Sequence, residues 1–211
     1  MKPPYDAATR LASAALSVRG DLPCALPPLL VLTDPKRLPD PVALAGALPP
    51  GSGLVYRHFG HHDRQAIACA AVAIARERGV TVLVSSDLDL AMGSGAAGVH
   101  WPERMIGEAG RARARGCRLL FSAAAHAPST LSRADRAGLD AVLVSTVFAS
   151  QSPTARRAMG PMALSAWVRR TALPVYALGG INHMNALRLS GLGISGVAVV
   201  SAIRSAGPTQ T

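Results

Sequence analysis

The chain has 211 residues, 49% hydrophobic and 16% charged, which is long enough for one well-buried core and too apolar for a disordered protein. No apolar run approaches the roughly 18 residues that span a bilayer, no secretory pattern follows Lys2, and the three separated cysteines (Cys24, Cys69, Cys117) make neither a metal pair nor a disulfide framework, so a reducing cytoplasm is expected. The formal charge of +10 is almost all arginine; with aromatics at 4% and Arg111, Arg113 and Arg115 spaced by two, it predicts non-specific attraction to polyanions and neither a dedicated nucleic-acid surface nor a membrane partner.

The first 28 residues hold one amphipathic helix, AATRLASAALSVRG, and a proline-rich connection, expected to pack outside the main body. Short apolar runs then recur with helix-like segments between them. They are LLVLTD (Leu29–Asp34), GLVYRHFG (Gly53–Gly60), VTVLVSS (Val80–Ser86) and AAGVHWPE (Ala96–Glu103). CRLLFSAAAH (Cys117–His126), LDAVLVSTVF (Leu139–Phe148), LPVYALGG (Leu173–Gly180) and ISGVAVVSAI (Ile194–Ile203) complete the series. Their near-continuous apolar character marks strands buried on both faces of a parallel sheet. The segment Asp63–Gly79 carries helix-forming alanines, an apolar stripe and a terminal glycine, as a connecting helix should. Eight such units predict a single compact TIM (β/α)8 barrel over residues 29–211 with an N-terminal helical extension, residues 1–28. Barrels of this kind usually need about 250 residues, so some helices must be short, especially between strands three and four.

In such a barrel the chemistry sits on the loops that follow the strands. The residues there include Thr33, Asp34, Arg57, His58, Ser85, Ser86, His100, His126, Ser150 and Ser152. They contain no carboxylate pair and no His/Cys cluster at metal-ligand spacing; of His58, His61 and His62 in RHFGHHD two could take up a metal adventitiously, but their spacing matches no dedicated metal site. Strand seven, within PVYALGGINHMNA, stops on Gly179–Gly180, and strand eight ends small at Ser201. Loops after strands seven and eight commonly bind phosphate through backbone N–H groups, and glycine lets the backbone approach the anion. A phosphate site is therefore expected there; the plainer alternative is that two glycines merely turn the chain.

LGGIN followed by GVAVVSAI, with LTD on the first strand, YRHFG on the second, GAAGVH on the fourth and GLDAVLVSTVF on the sixth, resembles the thiamine phosphate synthase and TenI-type family from Leu29 to Ile203. That resemblance implies the barrel already derived. It also implies one of two activities. Synthases of the family join a pyrimidine pyrophosphate to a thiazole phosphate using magnesium, whereas TenI-type members shift a proton on a thiazole carboxylate phosphate. Gly179, Gly180, Val200 and Ser201 fall where the family's main chain holds the thiazole phosphate. Ser150 and Ser152 fall on its hydroxyl pair after strand six, and Arg57 on the arginine that contacts pyrophosphate in synthases. His126 falls on the catalytic histidine of TenI-type members, 14 residues before Asp140.

Departures from the pattern cluster on the synthase side. Phe59 and Pro153 replace two lysines, Ser85–Ser86 stand in place of Asn-Asp, and Met105 in place of an aspartate. A magnesium ion on a pyrophosphate wants hard anionic oxygens, which serine and methionine do not supply. Asp87 and Glu103 lie one and two positions away. The implied reading is a TenI-like tautomerase that binds a small phosphorylated thiazole and needs no metal or other cofactor, with His126 and Arg57 as its catalytic residues. A magnesium-dependent synthase and a non-catalytic phosphate binder are the alternatives, and an unrelated phosphate-handling barrel would share only the phosphate loop. Homo-oligomerisation is left open.

Overall fold

Eight short strands carry the fold: β1 (Leu29–Leu32), β2 (Gly53–Tyr56), β3 (Thr81–Ser85), β4 (Gly98–Trp101), β5 (Leu120–Ala125), β6 (Ala141–Ser145), β7 (Val175–Leu178) and β8 (Gly196–Val199). In the computed structural model, which describes residues 6–21, 23–150, 152, 155–200 and 202–203, each strand pairs in parallel with the next. β8 returns to β1, with Leu29 opposite Val197, so the sheet closes into the expected barrel.

Alternation along the strands splits their side chains into two layers. Leu30, Leu32, Val55, Leu83, Leu143, Tyr176 and Ala198 fill the barrel interior. Leu29, Val31, Leu54, Val82, Val84, Val142, Val144, Val197 and Val199 face outward into a second apolar layer. Because both faces are buried, the strands read as unbroken apolar runs rather than as an alternating pattern. Tyr176 closes the lower end of the interior. Its hydroxyl lies 2.9 Å from the carbonyls of both Leu26 and Pro27, and burial pushes its phenol well above the usual range.

The outer layer is covered by α1 (Asp6–Val18), α2 (Pro41–Ala47), α3 (Arg64–Glu77), α4 (Leu88–Ser94), α5 (Ile106–Ala114), α6 (Pro128–Arg136) and α7 (Gly160–Val168). α1 buries Leu11, Ala15 and Val18 in the same layer as the outward residues of β1 and β8. The connection between β3 and β4 is as short as the length required. α4 has 7 residues, is started by the Asp87 side chain accepting from Leu90 N, and is stopped by Gly95 at φ 71°. Between β7 and β8 the chain forms only a 3-10 turn, Ala186–Leu189, where a helix was expected. Gly191 and Gly193, both at positive φ, take up the remaining turn.

Candidate functional site

The inward register that fills the barrel with apolar side chains brings polar ones to its upper rim on several strands. Arg57 follows Val55 in that register, Ser85 follows Leu83 and Ser145 follows Leu143, whereas on β8 the apolar Val200 follows Ala198. His100 lies in the same layer on β4, 6% exposed, with Nδ1 3.0 Å from Ser122 Oγ. Burial pushes its imidazole down to about 3, and the nearby charges of Arg57 and His126 push the same way. It is therefore neutral at physiological pH and structural.

A testable pH dependence follows. Between pH 6.5 and about 3 the unfolded chain binds a proton at His100 that the folded chain excludes. Stability from this group is therefore full above 6.5 and is lost as pH falls, by up to about 1.4 kcal/mol per pH unit. Urea unfolding between pH 4.5 and 7.5 should give a shallower slope for His100→Gln than for the unmodified chain, and equal slopes would contradict the assignment.

Arg57 is tied down by the loop after β1. Its backbone N–H donates to Thr33 Oγ1 and its Nε to Thr33 O, both at 2.7 Å, and Nη2 lies 4.0 Å from Asp34 Oδ2. Asp34 is held down to about 2, first by the hydrogen bond from the Arg37 guanidinium at 2.8 Å and then by the N–H groups of Arg37 and Lys36, with burial opposing. Burial lowers the Arg57 guanidinium from its ordinary value, yet an arginine stays charged.

Five of the residues singled out from sequence meet around one cavity. Gly179, Gly180, Val200, Ser150 and Ser152 line a space of about 410 Å³ at the ends of β6, β7 and β8. Ser201 lies outside the described residues. Arg37 also lines this cavity; the sequence reading missed it, although it follows the first strand by only five residues. Arg57 and His126 are not among the lining residues.

The two glycines are required for a reason other than the anion. Gly179 and Gly180 have φ of 100° and 65°, and a Cβ on them would come within 2.7 Å of Thr146 Cγ2 and 2.2 Å of Ala149 O respectively. The loop after β6 lies directly against them, with Phe148 N donating to Gly179 O at 3.0 Å. Asn185 Nδ2 then fixes Gly180 O at 2.8 Å, while Asn182 accepts from the N–H groups of Met184 and Asn185. Packing and backbone conformation demand the glycines; the cavity they line is a consequence.

His126 sits in a second cleft, about 430 Å³, lined also by Pro102, Glu103, Arg104, Arg133 and Arg156. Its Nδ1 lies 3.0 Å from Ser145 Oγ and 3.5 Å from Ser145 O. In the tautomer whose Nδ1–H donates to Ser145, Nε2 carries the lone pair that a base needs.

The two carboxylates nearest Ser86 and Met105 in sequence, those of Asp87 and Glu103, are engaged by internal partners. Asp87 Oδ1 accepts from Leu90 N, and Oδ2 pairs with Arg64, whose Nη2 also donates to Ser85 O at 3.1 Å. Glu103 Oε2 accepts from His126 N at 3.0 Å and Oε1 accepts from Thr130 Oγ1. Ser85, Ser86 and Met105 add only hydroxyl and thioether donors, so this donor set does not fit a hard divalent cation. Phe59, in place of a lysine, is 56% exposed and lies under the Arg64 guanidinium, 5.6 Å from it. His61, His62 and Asp63 bring one donor atom each within 4.8 Å of one another on the exposed loop after β2, a grouping the spacing did not disclose.

Residues 43–203 match the family model described as thiamine monophosphate synthase. A thiamine-phosphate synthase of Chlorobium phaeobacteroides is 30% identical over 190 residues, covering 87% of this chain and 92% of that one. A thiamine-phosphate synthase of Ruminiclostridium cellulolyticum is 32% identical over 126 residues, and the match covers 60% of each chain. Among solved structures, a thiamine phosphate pyrophosphorylase from Pyrococcus furiosus superposes with a TM-score of 0.67 at 23% identity, over 92% of this chain and 88% of that chain. At that identity the superposition speaks for the barrel fold alone.

Proposed function

The chain belongs to the thiamine monophosphate synthase family, and from that premise we propose that it binds a thiazole phosphate and moves a proton on it, as TenI-type members do. The phosphate sits in the cavity at Gly179–Gly180 and Val200, with the hydroxyls of Ser150 and Ser152 as further donors. Arg37, on the rim of the same cavity, adds positive charge. His126, which lines the second cleft with its Nδ1 beside Ser145, is the proton-transfer group. One observation supports this reading over its rival: Asp87 and Glu103 are engaged by internal partners.

The second reading is the condensation performed by synthases, favoured by the names of the relatives and by the 30% identity that extends over 190 residues. That reaction has to stabilise a departing pyrophosphate. Phe59 and Pro153 stand in place of the two lysines, and Asp87 or Glu103 would first have to release Arg64 or His126 to hold a bridging cation.

The two readings separate in one experiment. The chain is incubated with thiazole phosphate and pyrimidine pyrophosphate, with and without magnesium, and thiamine phosphate is sought by chromatography. Binding of thiazole phosphate without product is the expected result, together with conversion of the non-aromatic thiazole carboxylate phosphate to its aromatic tautomer. Magnesium-dependent thiamine phosphate would establish the synthase instead, and binding with neither conversion would leave a binder.

A further inference from the structure

We infer that the turn after β2, His61–His62–Asp63, is a binding site for a zinc-type divalent cation, held by two imidazoles and one carboxylate with one coordination position open. The site is independent of the phosphate cavity and of His126, so its failure would leave the proposed reaction untouched.

In this turn three neighbours in sequence bring their donor atoms within 4.8 Å of one another. The His61 and His62 rings stack, with centroids 4.7 Å apart and planes inclined by 15°. His62 Nε2 lies 2.7 Å from Asp63 Oδ2. The backbone beneath them is fixed. Gly60 turns the chain at φ 72°, Arg64 N donates to His61 O at 3.1 Å, and Ile67 N donates to Asp63 O at 2.9 Å as α3 begins. A tetrahedral zinc ion with bonds of about 2.0–2.2 Å sets its ligand atoms about 3.4 Å apart. Short rotations of the exposed side chains close the remaining gap.

Asp63 supplies a second, independent observation. It occupies the N-cap position of α3, where an aspartate ordinarily accepts an N–H of the first helical turn. Asp40 and Asp87 do so at the starts of α2 and α4, accepting from Ala43 N and Leu90 N. Asp63 makes no such bond, and its carboxylate turns to His62 instead. The contacts within the turn are weak. The His62–Asp63 pair is 82% and 58% exposed, and the Asp63 N–H reaches His61 Nδ1 only at 3.2 Å. An ion therefore displaces both at small cost.

The donor set decides the class of ion. Two imidazole nitrogens and one carboxylate suit zinc and its neighbours nickel, cobalt and copper, whereas magnesium prefers a shell of oxygens and keeps its waters. The positive end of α3 further disfavours a hydrated ion held by charge alone. With three protein donors among the described residues, the fourth position falls to water or to a ligand. His62 also lines a cleft of about 620 Å³ with Arg64, Asp87 and Asp89, where an oxygen-bearing ligand has room. A bound ion fastens the loop that follows Arg57 to the start of α3.

Calorimetric titration of zinc chloride into the full chain, free of any affinity tag, tests the site. One zinc per chain is expected, with a dissociation constant below about 10 μM. His61→Ala, His62→Ala and Asp63→Asn should each weaken it at least about tenfold. All three side chains are exposed, so the metal-free variants should keep the Tm of the unmodified chain. At a hundredfold excess over the dissociation constant, zinc should raise that Tm by about 5–10 °C, and the Tm of His62→Ala by much less. Cobalt(II) should show the visible bands of a tetrahedral nitrogen and oxygen site without a thiolate charge-transfer band, which separates the turn from Cys24, Cys69 and Cys117. Zinc affinity unchanged in all three variants, or a thiolate band with cobalt, would put the ion elsewhere and overturn the site. A dissociation constant above about 10 μM in the unmodified chain would mean an adventitious ion only.

Discussion

Replacement of His126 by glutamine is expected to lower the rate of proton transfer about 10²- to 10⁴-fold, the usual contribution of a positioned acid–base group, while leaving phosphate affinity within about twofold. The separation follows from placement. His126 lines the arginine cleft and not the phosphate cavity, so the anchor does not pass through its side chain. Its backbone N–H bond to Glu103 survives any substitution other than proline, which protects the loop. Glutamine keeps a polar group near Ser145 but has no titratable nitrogen. The measurement is single-turnover conversion of the thiazole carboxylate phosphate, alongside calorimetric binding of its phosphate. Ser145→Ala tests the positioning role: with Nδ1 left to the more distant carbonyl, turnover should fall about tenfold and KM should not move. A His126→Gln variant with full turnover would return the residue to the loop.

Strand positions were legible in the sequence because burial on both faces writes each strand as one apolar run. The ends were less so: the run Cys117–His126 overshoots β5, which spans Leu120–Ala125, mainly because Cys117 and Leu119, which pack on the helical layer, precede the first ladder pair. Gly179 and Gly180 also stood out, and they do line a cavity. Yet the feature that demands glycine, the loop after β6 pressed against them, involves residues 30 or more positions earlier and leaves no mark beside the motif. The same limit hid the state of the carboxylates. Asp87 is spent on Arg64, 23 residues away, and Glu103 on Thr130, 27 residues away. Proximity in sequence suggested that either could replace a lost metal ligand, and folding commits both elsewhere. The arginine cleft was equally invisible, because it gathers side chains from three loops.

Arg113→Met is expected to cost about 2–3 kcal/mol of stability, seen as a Tm lower by about 5–10 °C, with no change in phosphate binding. Arg113 projects from α5 to the entrances of β5 and β6. Its Nε donates to Gly138 O at 3.0 Å, Nη1 to Cys117 O at 2.8 Å and Leu119 O at 3.2 Å, and Nη2 to Asp140 Oδ2 at 2.8 Å. The guanidinium carbon lies 4.5 Å from the centre of the Phe121 ring. One side chain therefore fastens a helix to two adjacent strands at the end of the barrel away from the loops that carry the site, where residues serve stability rather than binding. Methionine preserves the packing of the stem but strands three carbonyls, and the partial exposure of the pair, 27% and 35%, keeps the ionic share of the loss modest. Asp140→Asn should cost only about 1 kcal/mol, because its side-chain oxygen still accepts from Phe121 N. The double variant should lose less than the sum, since both changes break the same ion pair. Full additivity would mean that the carbonyl contacts and the ring stacking carry the whole effect. Altered phosphate affinity in Arg113→Met would mean that the lower end of the barrel is coupled to the loops above it, against the separation of the two ends that these contacts describe.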